Sequence, residues 1–168
     1  MRSFLTAGVD TTVNGLGNAI FSFLTNPDQW DRLRADPSLA KPAFDEVLRD
    51  EAPVQTFLRT TTRPVAVAGV PLEEGQKVLC FLGAANRDPA RWDRADTFDI
   101  TRRATGHLGC GTGIHGCVGQ AVARMEAESL LGALAARVAR WEPAGEPVRR
   151  LNNTLRGLSS LPVRVIPA

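Results

Sequence analysis

Between Gly109 and Gly119 the chain reads G-C-G-T-G-I-H-G-C-V-G, and three chemistries could use such a stretch. Gly111, Gly113 and Gly116 spell G-x-G-x-x-G, the dinucleotide fingerprint, but that motif needs a buried strand immediately before it, and Thr101 to His107 is polar and basic. His107, Cys110, His115 and Cys117 have the types of zinc ligands. His115 and Cys117, however, stand closer together than structural zinc spacings, which leave about two to five residues between paired ligands. The third chemistry takes Cys117 as the only metal ligand. Cysteine binds metal as thiolate, and a place at a helix N-terminus lowers its pKa through the positive end of the dipole. Gly111, Gly113 and Gly119 then let the backbone pass close under a flat macrocycle, and amide N–H groups aimed at the sulfur tune the metal. Cys80, outside any such loop, reads as a buried inert thiol.

A second stretch, Ala7-Gly8-Val9-Asp10-Thr11-Thr12, places Gly and two Thr inside a helix, where propensity disfavours them. A Thr11 hydroxyl bonded to the carbonyl of Ala7 would loosen the ladder and open a groove beside Gly8. A groove with a hydroxyl and the Asp10 carboxylate suits proton delivery. Glu46 and Arg49 stand three apart, on one helical face, a spacing that more often marks a solvated bridge. Phe57 and Arg59 share one face of a strand. Arg102, Arg103 and Arg124 gather in sequence around the cysteine loop as solvated charges or as a basic docking patch.

The elements that must position these residues follow from pattern and punctuation. The spacing predicts a helix from Arg2 to Leu24, broken by Asn26-Pro27, a short one from Pro27 to Ala35 with Pro in its first turn, and a third from about Pro42 to Glu51, stopped by Pro53. Val54 to Leu82 changes to short strands, including Val65-Ala66-Val67 and Val78-Leu79-Cys80, with turns at Gly69 and Gly75. Residues 86–116 form a long loop of the kind that usually carries function. Cys117 to Val138 returns to helix, with Val118, Val122, Met125, Leu131, Leu134 and Val138 on one apolar face, and Leu151 to Ile166 suggests a terminal strand pair.

The 168 residues suffice for one domain with a real core. A formal net charge of +2, from 20 basic and 18 acidic side chains, is too small and dispersed to point to nucleic acid or an anionic membrane. No apolar run approaches the roughly 18 residues of a membrane span, and no secretory pattern opens the chain. With three cysteines, an odd number, the expectation is a cytoplasmic protein without a disulfide framework.

The cysteine stretch, followed by Ala123-Arg124, resembles the F-G-x-G-x-H-x-C-x-G signature of the cytochrome P450 family, and Ala7 to Thr12 resembles its A/G-G-x-D/E-T-T motif. Glu46 to Arg49 resembles its E-x-x-R. The resemblance implies a mainly α fold with small β-sheets, the C-terminal part of that fold from the distal oxygen-groove helix onward. Residues 1–168 would then be the C-terminal portion of a single domain whose N-terminal half is absent. It implies haem b (iron protoporphyrin IX) ligated by Cys117, with propionate contacts from Arg59 and His115 and close backbone at Gly111 and Gly119. Asp10 and Thr11 become the acid–alcohol pair of a monooxygenase that uses dioxygen and electrons from an iron–sulfur ferredoxin with its NAD(P)H-dependent reductase. Two departures stand out. Cys110 occupies the usual Phe position, and Thr97, ahead of Phe98, occupies the place expected for the second arginine of the buried E-x-x-R triad, leaving it incomplete. The stretches A-G-V-D-T-T-V-N-G, A-P-V-Q-T-F-L-R-T-T-T-R, F-L-G-A-A-N-R-D-P-A-R-W and N-N-T-L-R-G-L are similar to the bacterial class that demethylates para-methoxybenzoate and related para-substituted benzoates. That similarity implies a small aromatic carboxylate, held by Arg2 and Ser3 with Ala7 and Phe57. The reading from another class is an inactive relic or a non-enzymatic metal-binding fragment.

Overall fold

The computed structural model describes residues 2–168, and side chains from Ala7 onward. Its first helix, α1 (Arg2–Thr25), stops where Asn26 and Pro27 follow. Thr25 Oγ1 and Asn26 Nδ2 donate to the last carbonyls, of Phe21 at 3.0 Å and Ser22 at 2.8 Å. Gly15, Asn18, Ala19, Ser22 and Phe23, at helical spacing, form its buried face. Helix α2 (Pro27–Ala35) begins with Pro in its first turn and buries Trp30 and Leu33. A 3₁₀ turn (Pro37–Leu39), held by the Asp36 carboxylate at Ser38 N, leads into α3 (Ala40–Asp50), which buries Ala40, Ala43, Phe44, Val47 and Leu48.

Two antiparallel pairs follow. Strand β1 (Thr56–Thr60) pairs with β4 (Lys77–Phe81), Phe57 opposite Cys80 and Arg59 opposite Val78. Between them β2 (Val65–Val67) and β3 (Val70–Leu72) form a hairpin whose two turn residues, Ala68 and Gly69, both have positive φ, the conformation that a two-residue turn of right-handed twist requires. A one-turn helix, α4 (Leu82–Ala85), opens the long irregular segment, which runs to the 3₁₀ turn Gly113–His115 and helix α5 (Gln120–Ala135). The tail pairs β5 (Val138–Pro143) with β8 (Val163–Pro167) and β6 (Val148–Arg149) with β7 (Leu158–Ser160), so the expected terminal strand pair is in fact two pairings nested one outside the other.

One core joins α1, α2, α3, α5 and β5, with Phe23 edge-on to Trp30 (5.1 Å) and to Phe98 (5.7 Å). Phe98 and the fully buried Ile100 thereby nail the middle of the irregular segment to the helices. The last helix differs from expectation. It ends at Ala135, Val138 is the first residue of a strand, and Val118, Val122 and Met125 are exposed. Its buried face is Ala127, Leu131 and Ala135, because small side chains let α5 lie close against α3 where larger ones would hold it away. No helix among the described residues is long and apolar enough to cross a membrane.

Candidate functional site

The cysteine loop is built by backbone bonds around glycines, of which Gly111 has no room for a side chain. Gly111 has φ +67°, and a Cβ on it would meet the His115 carbonyl oxygen at 2.4 Å. Gly113 also has positive φ, and the 3₁₀ turn it starts brings the chain back. Cys117 N–H then donates to Cys110 O at 2.8 Å, and α5 begins three residues later, with Gly119 as its N-cap. Gly119 has an ordinary φ. Its relevance is local, since the nearest atom to a Cβ there would be Cys117 Sγ at 3.9 Å, so glycine leaves one flank of the sulfur open.

The Cys117 residue is exposed, as are His115, Ile114 (97 %) and Val118 (82 %) beside it. Exposed Ile and Val flanking a thiol are out of place against water and suit a flat apolar ring. Cys110 points the other way, packed on the core, and burial raises its thiol pKa despite the Arg124 charge. His107 turns its two nitrogens to Gly109 N (3.0 Å) and Asp45 Oδ1 (3.5 Å). The residues present therefore fit a group held by a single sulfur.

On α1, Thr11 Oγ1 donates to Ala7 O at 2.6 Å, the back-bond its position in the helix suggests. Asp10 and Ala7 are exposed, Thr11 is partly so, and a Cβ on Gly8 would meet nothing. Arg2 and Ser3 lie outside the residues whose side chains are described. On β1 the Arg59 guanidinium sits over the Phe57 ring at 5.5 Å, with Nη1 on Leu58 O at 2.9 Å, so these two are brought together.

Glu46 and Arg49 are not a surface bridge. Both side chains are fully buried, and Arg49 grips the carboxylate with two nitrogens at 2.8 and 2.9 Å while donating to the carbonyls of Asn86, Ala95 and Thr97. The second arginine is present as well: Arg102 Nε donates to Glu46 Oε1 at 3.1 Å, with its side chain only 10 % exposed. The triad expected to be incomplete at Thr97 is complete at Arg102. Thr97 contributes its carbonyl oxygen, which accepts from both arginines. The same finding removes Arg102 from the basic patch. Arg124 is held by Asp45 at 2.8 Å, so Arg103 alone of the three is exposed and without an ion pair among the described residues.

A second buried centre escaped sequence reading. Glu51, at the end of α3, accepts from Arg156 at 2.7 and 3.0 Å and pairs with Arg149 at 2.9 Å and Arg87 at 3.3 Å. Buried Asn18 of α1 donates to the backbone oxygens of Glu51 and Arg156. Burial pushes the Glu51 carboxyl up, but the Arg156 hydrogen bonds and the nearby arginine charges outweigh it and hold the group below its ordinary value. The signal was thin: Arg156 lies in N-N-T-L-R-G-L, 105 residues from its partner.

The Cytochrome P450 family model matches residues 38–164. Cytochrome p450 CYP199A2 of Rhodopseudomonas palustris is 60% identical over the whole chain, which covers 41% of it, and Cytochrome P450 107B1 of Saccharopolyspora erythraea is 48% identical over 95% of the chain and 40% of its own length. The solved structure of Cytochrome P450 CYP109Q5 from Chondromyces apiculatus superposes with a TM-score of 0.93 at 36% identity, over 99% of this chain and 44% of that one. The chain thus spans about 40% of the length of the curated relatives it matches. With this helix-and-small-sheet architecture, and with these motifs in these places, the chain belongs to the cytochrome P450 family.

Proposed function

We propose that the protein works as a haem-thiolate monooxygenase on a small aromatic carboxylate, with residues 1–168 forming the C-terminal portion of a single catalytic domain. The observation that carries the reading is the Cys117 loop: an exposed thiol on a turn closed by Gly111 and Gly113, just ahead of α5, flanked by exposed Ile114 and Val118. When bound, haem b supplies the activation of dioxygen. The residues of the chain do the rest. Cys117 offers the thiolate, Gly119 leaves the flank of the sulfur clear, and Arg59 and His115 offer N–H donors to the two propionates. Ile114 and Val118 would shield the bound group from water.

On α1 the Thr11 hydroxyl, with its proton on Ala7 O, keeps oxygen lone pairs free to accept a further hydrogen bond. Asp10, exposed next to it, can exchange a proton with solvent, and together they form the acid–alcohol pair. Phe57 and Ala7 make the substrate wall, the substrate's aromatic ring packing on Phe57, and the resemblance adds Arg2 and Ser3 as the cation and hydroxyl for the carboxylate. Hydroxylation or O-demethylation at the para position is supported by the resemblance of the stretches around Ala7, Phe57, Phe81 and Asn152. Electrons come from an iron–sulfur ferredoxin and its NAD(P)H-dependent reductase.

The test is a spectrum. The haem-loaded protein, reduced under carbon monoxide, is expected to show the strongly red-shifted Soret band of thiolate ligation, retained in Cys110→Phe and lost in Cys117→Ser. The opposite pattern refutes the ligand assignment. For the substrate class, para-methoxybenzoate is expected to convert the ferric haem from low to high spin; a response to a bulky neutral terpene alone would overturn it.

A further inference from the structure

The approach to the cysteine turn is held by two side chains and two backbone bonds. Leu108 N donates to Asn86 Oδ1 at 2.7 Å, Gly109 N to His107 Nδ1 at 3.0 Å, Gly111 N to Leu108 O at 2.9 Å, and Cys110 O receives Cys117 N at 2.8 Å. There is no slack against α3, because a Cβ on Gly109 would meet the Leu48 carbonyl oxygen at 2.4 Å. In this row of bonds two acceptors are side chains, Asn86 Oδ1 and His107 Nδ1, and the His107 residue is 8% exposed.

A histidine nitrogen that accepts carries no proton, so the Gly109 bond places the ring proton on Nε2. Nε2 faces Asp45 Oδ1 at 3.5 Å. The same Oδ1 takes Arg124 Nε at 2.8 Å, and Arg124 Nη1 donates to Gln120 Oε1 at 2.8 Å, in the first turn of α5. Burial pushes the Asp45 carboxyl up, but the His107 and Arg124 contacts hold it below its ordinary value, as an ion pair requires. The contacts run from Gly109 through His107 on the loop and Asp45 on α3 to Arg124 and Gln120 on α5. They bridge the two segments between which Cys117 hangs.

We infer that His107 is a positioning residue for Cys117: as the Nε2–H tautomer, it ties the cysteine loop to Asp45 and Arg124 and so fixes where the sulfur stands. This rests on Cys117 being the haem ligand. It adds a residue that acts through Gly109 and Cys110 and not by touching the ring, in the way that groups behind a ligand set its orientation.

The test uses three His107 variants of the haem-loaded full chain, with Cys117→Ser beside them. His107→Phe keeps the bulk and removes both nitrogen contacts; His107→Asn puts a carboxamide oxygen where Nδ1 was and keeps the Gly109 bond; His107→Gln reaches Asp45 but not Gly109. The readouts are the rate at which the ferrous carbon monoxide complex passes from the thiolate band to the blue-shifted band of a protonated or detached thiol, and the midpoint potential of the haem. His107→Phe and His107→Gln are expected to speed the loss at least about fivefold, the factor that one net buried hydrogen bond represents. His107→Asn, which keeps the Gly109 end and loses the Asp45 end, is expected to fall between His107→Phe and wild type, and the potential to follow the same order. A His107→Phe protein as long-lived as wild type, or His107→Asn no better than His107→Phe, overturns the inference. Should His107→Phe fail to fold, His107→Gln decides: wild-type decay there overturns it too. Cys117→Ser separates the two levels, because a thiolate band surviving that substitution overturns the ligand assignment itself, whereas its loss there beside unchanged decay in the His107 variants overturns only the role of His107.

Discussion

Replacing Arg102 by Ala tests whether the buried triad is read correctly. Arg102 gives Glu46 one charge-assisted hydrogen bond at 3.1 Å and donates to the backbone oxygens of Asp93, Arg94 and Thr97. The Glu46 carboxylate is fully buried and keeps Arg49 and the Asp99 amide after the change. The loss is therefore that of one bond to a buried charge, about 1.5–3 kcal/mol, with little added from the three carbonyls, which water can reach once the side chain is gone. Arg49→Ala removes both bonds of the fork and leaves the carbonyls of Asn86 and Ala95 without a donor inside the fold, so it is expected to cost more, about 3–5 kcal/mol. Because both act on one carboxylate, the double variant should fall short of the sum. Urea unfolding of the haem-loaded protein, followed by far-ultraviolet circular dichroism, gives these differences from midpoints at constant slope. If Arg102 were a solvated docking cation, Arg102→Ala would change stability by less than about 0.5 kcal/mol. That result would refute the triad.

Three other outcomes are expected. Thr11→Ala, which removes the hydroxyl bonded to Ala7 O, should keep reductant consumption while product falls and peroxide rises, measured as product per NAD(P)H; unchanged coupling would make the hydroxyl a helix feature only. Gly111→Ala puts a Cβ at positive φ against the His115 carbonyl and should lower haem occupancy several-fold at equal protein, read from the Soret to protein absorbance ratio; full occupancy would refute the steric account. Glu51 has a folded pKa below its unfolded value, so the stability it adds is present at neutral pH and is lost as pH falls through the folded pKa. Glu51→Gln should therefore be less stable near pH 7 and flatten the acid limb of the stability profile, and an unaltered limb would show that the arginines around it do not act on its charge.

What could be read from the sequence divides along physical lines. Helix ends at Asn26-Pro27 and ahead of Pro53 were legible because proline acts on its immediate neighbours, and the Cys117 turn because positive φ selects glycine locally. The packing face of α5 is not legible from its largest apolar residues. Close approach to α3 selects Ala127 and Ala135, while Val118, Val122 and Met125 stand exposed. Polar centres were the least legible. Glu46 meets Arg102 across 56 residues and Glu51 meets Arg156 across 105, and no periodicity links positions so far apart. The misplacement at Thr97 shows the reason most clearly. The resemblance implies a second arginine just before a Phe, and Thr97 holds that position ahead of Phe98. The Phe98 and Ile100 side chains fix the segment, but they leave Thr97 to offer a carbonyl and let Asp99 and Thr101 turn the chain, so that Arg102 swings back over Thr97 onto Glu46. The second arginine stands five residues further on, and the turn that returns it shows in the Asp99 amide, which donates to the same carboxylate oxygen.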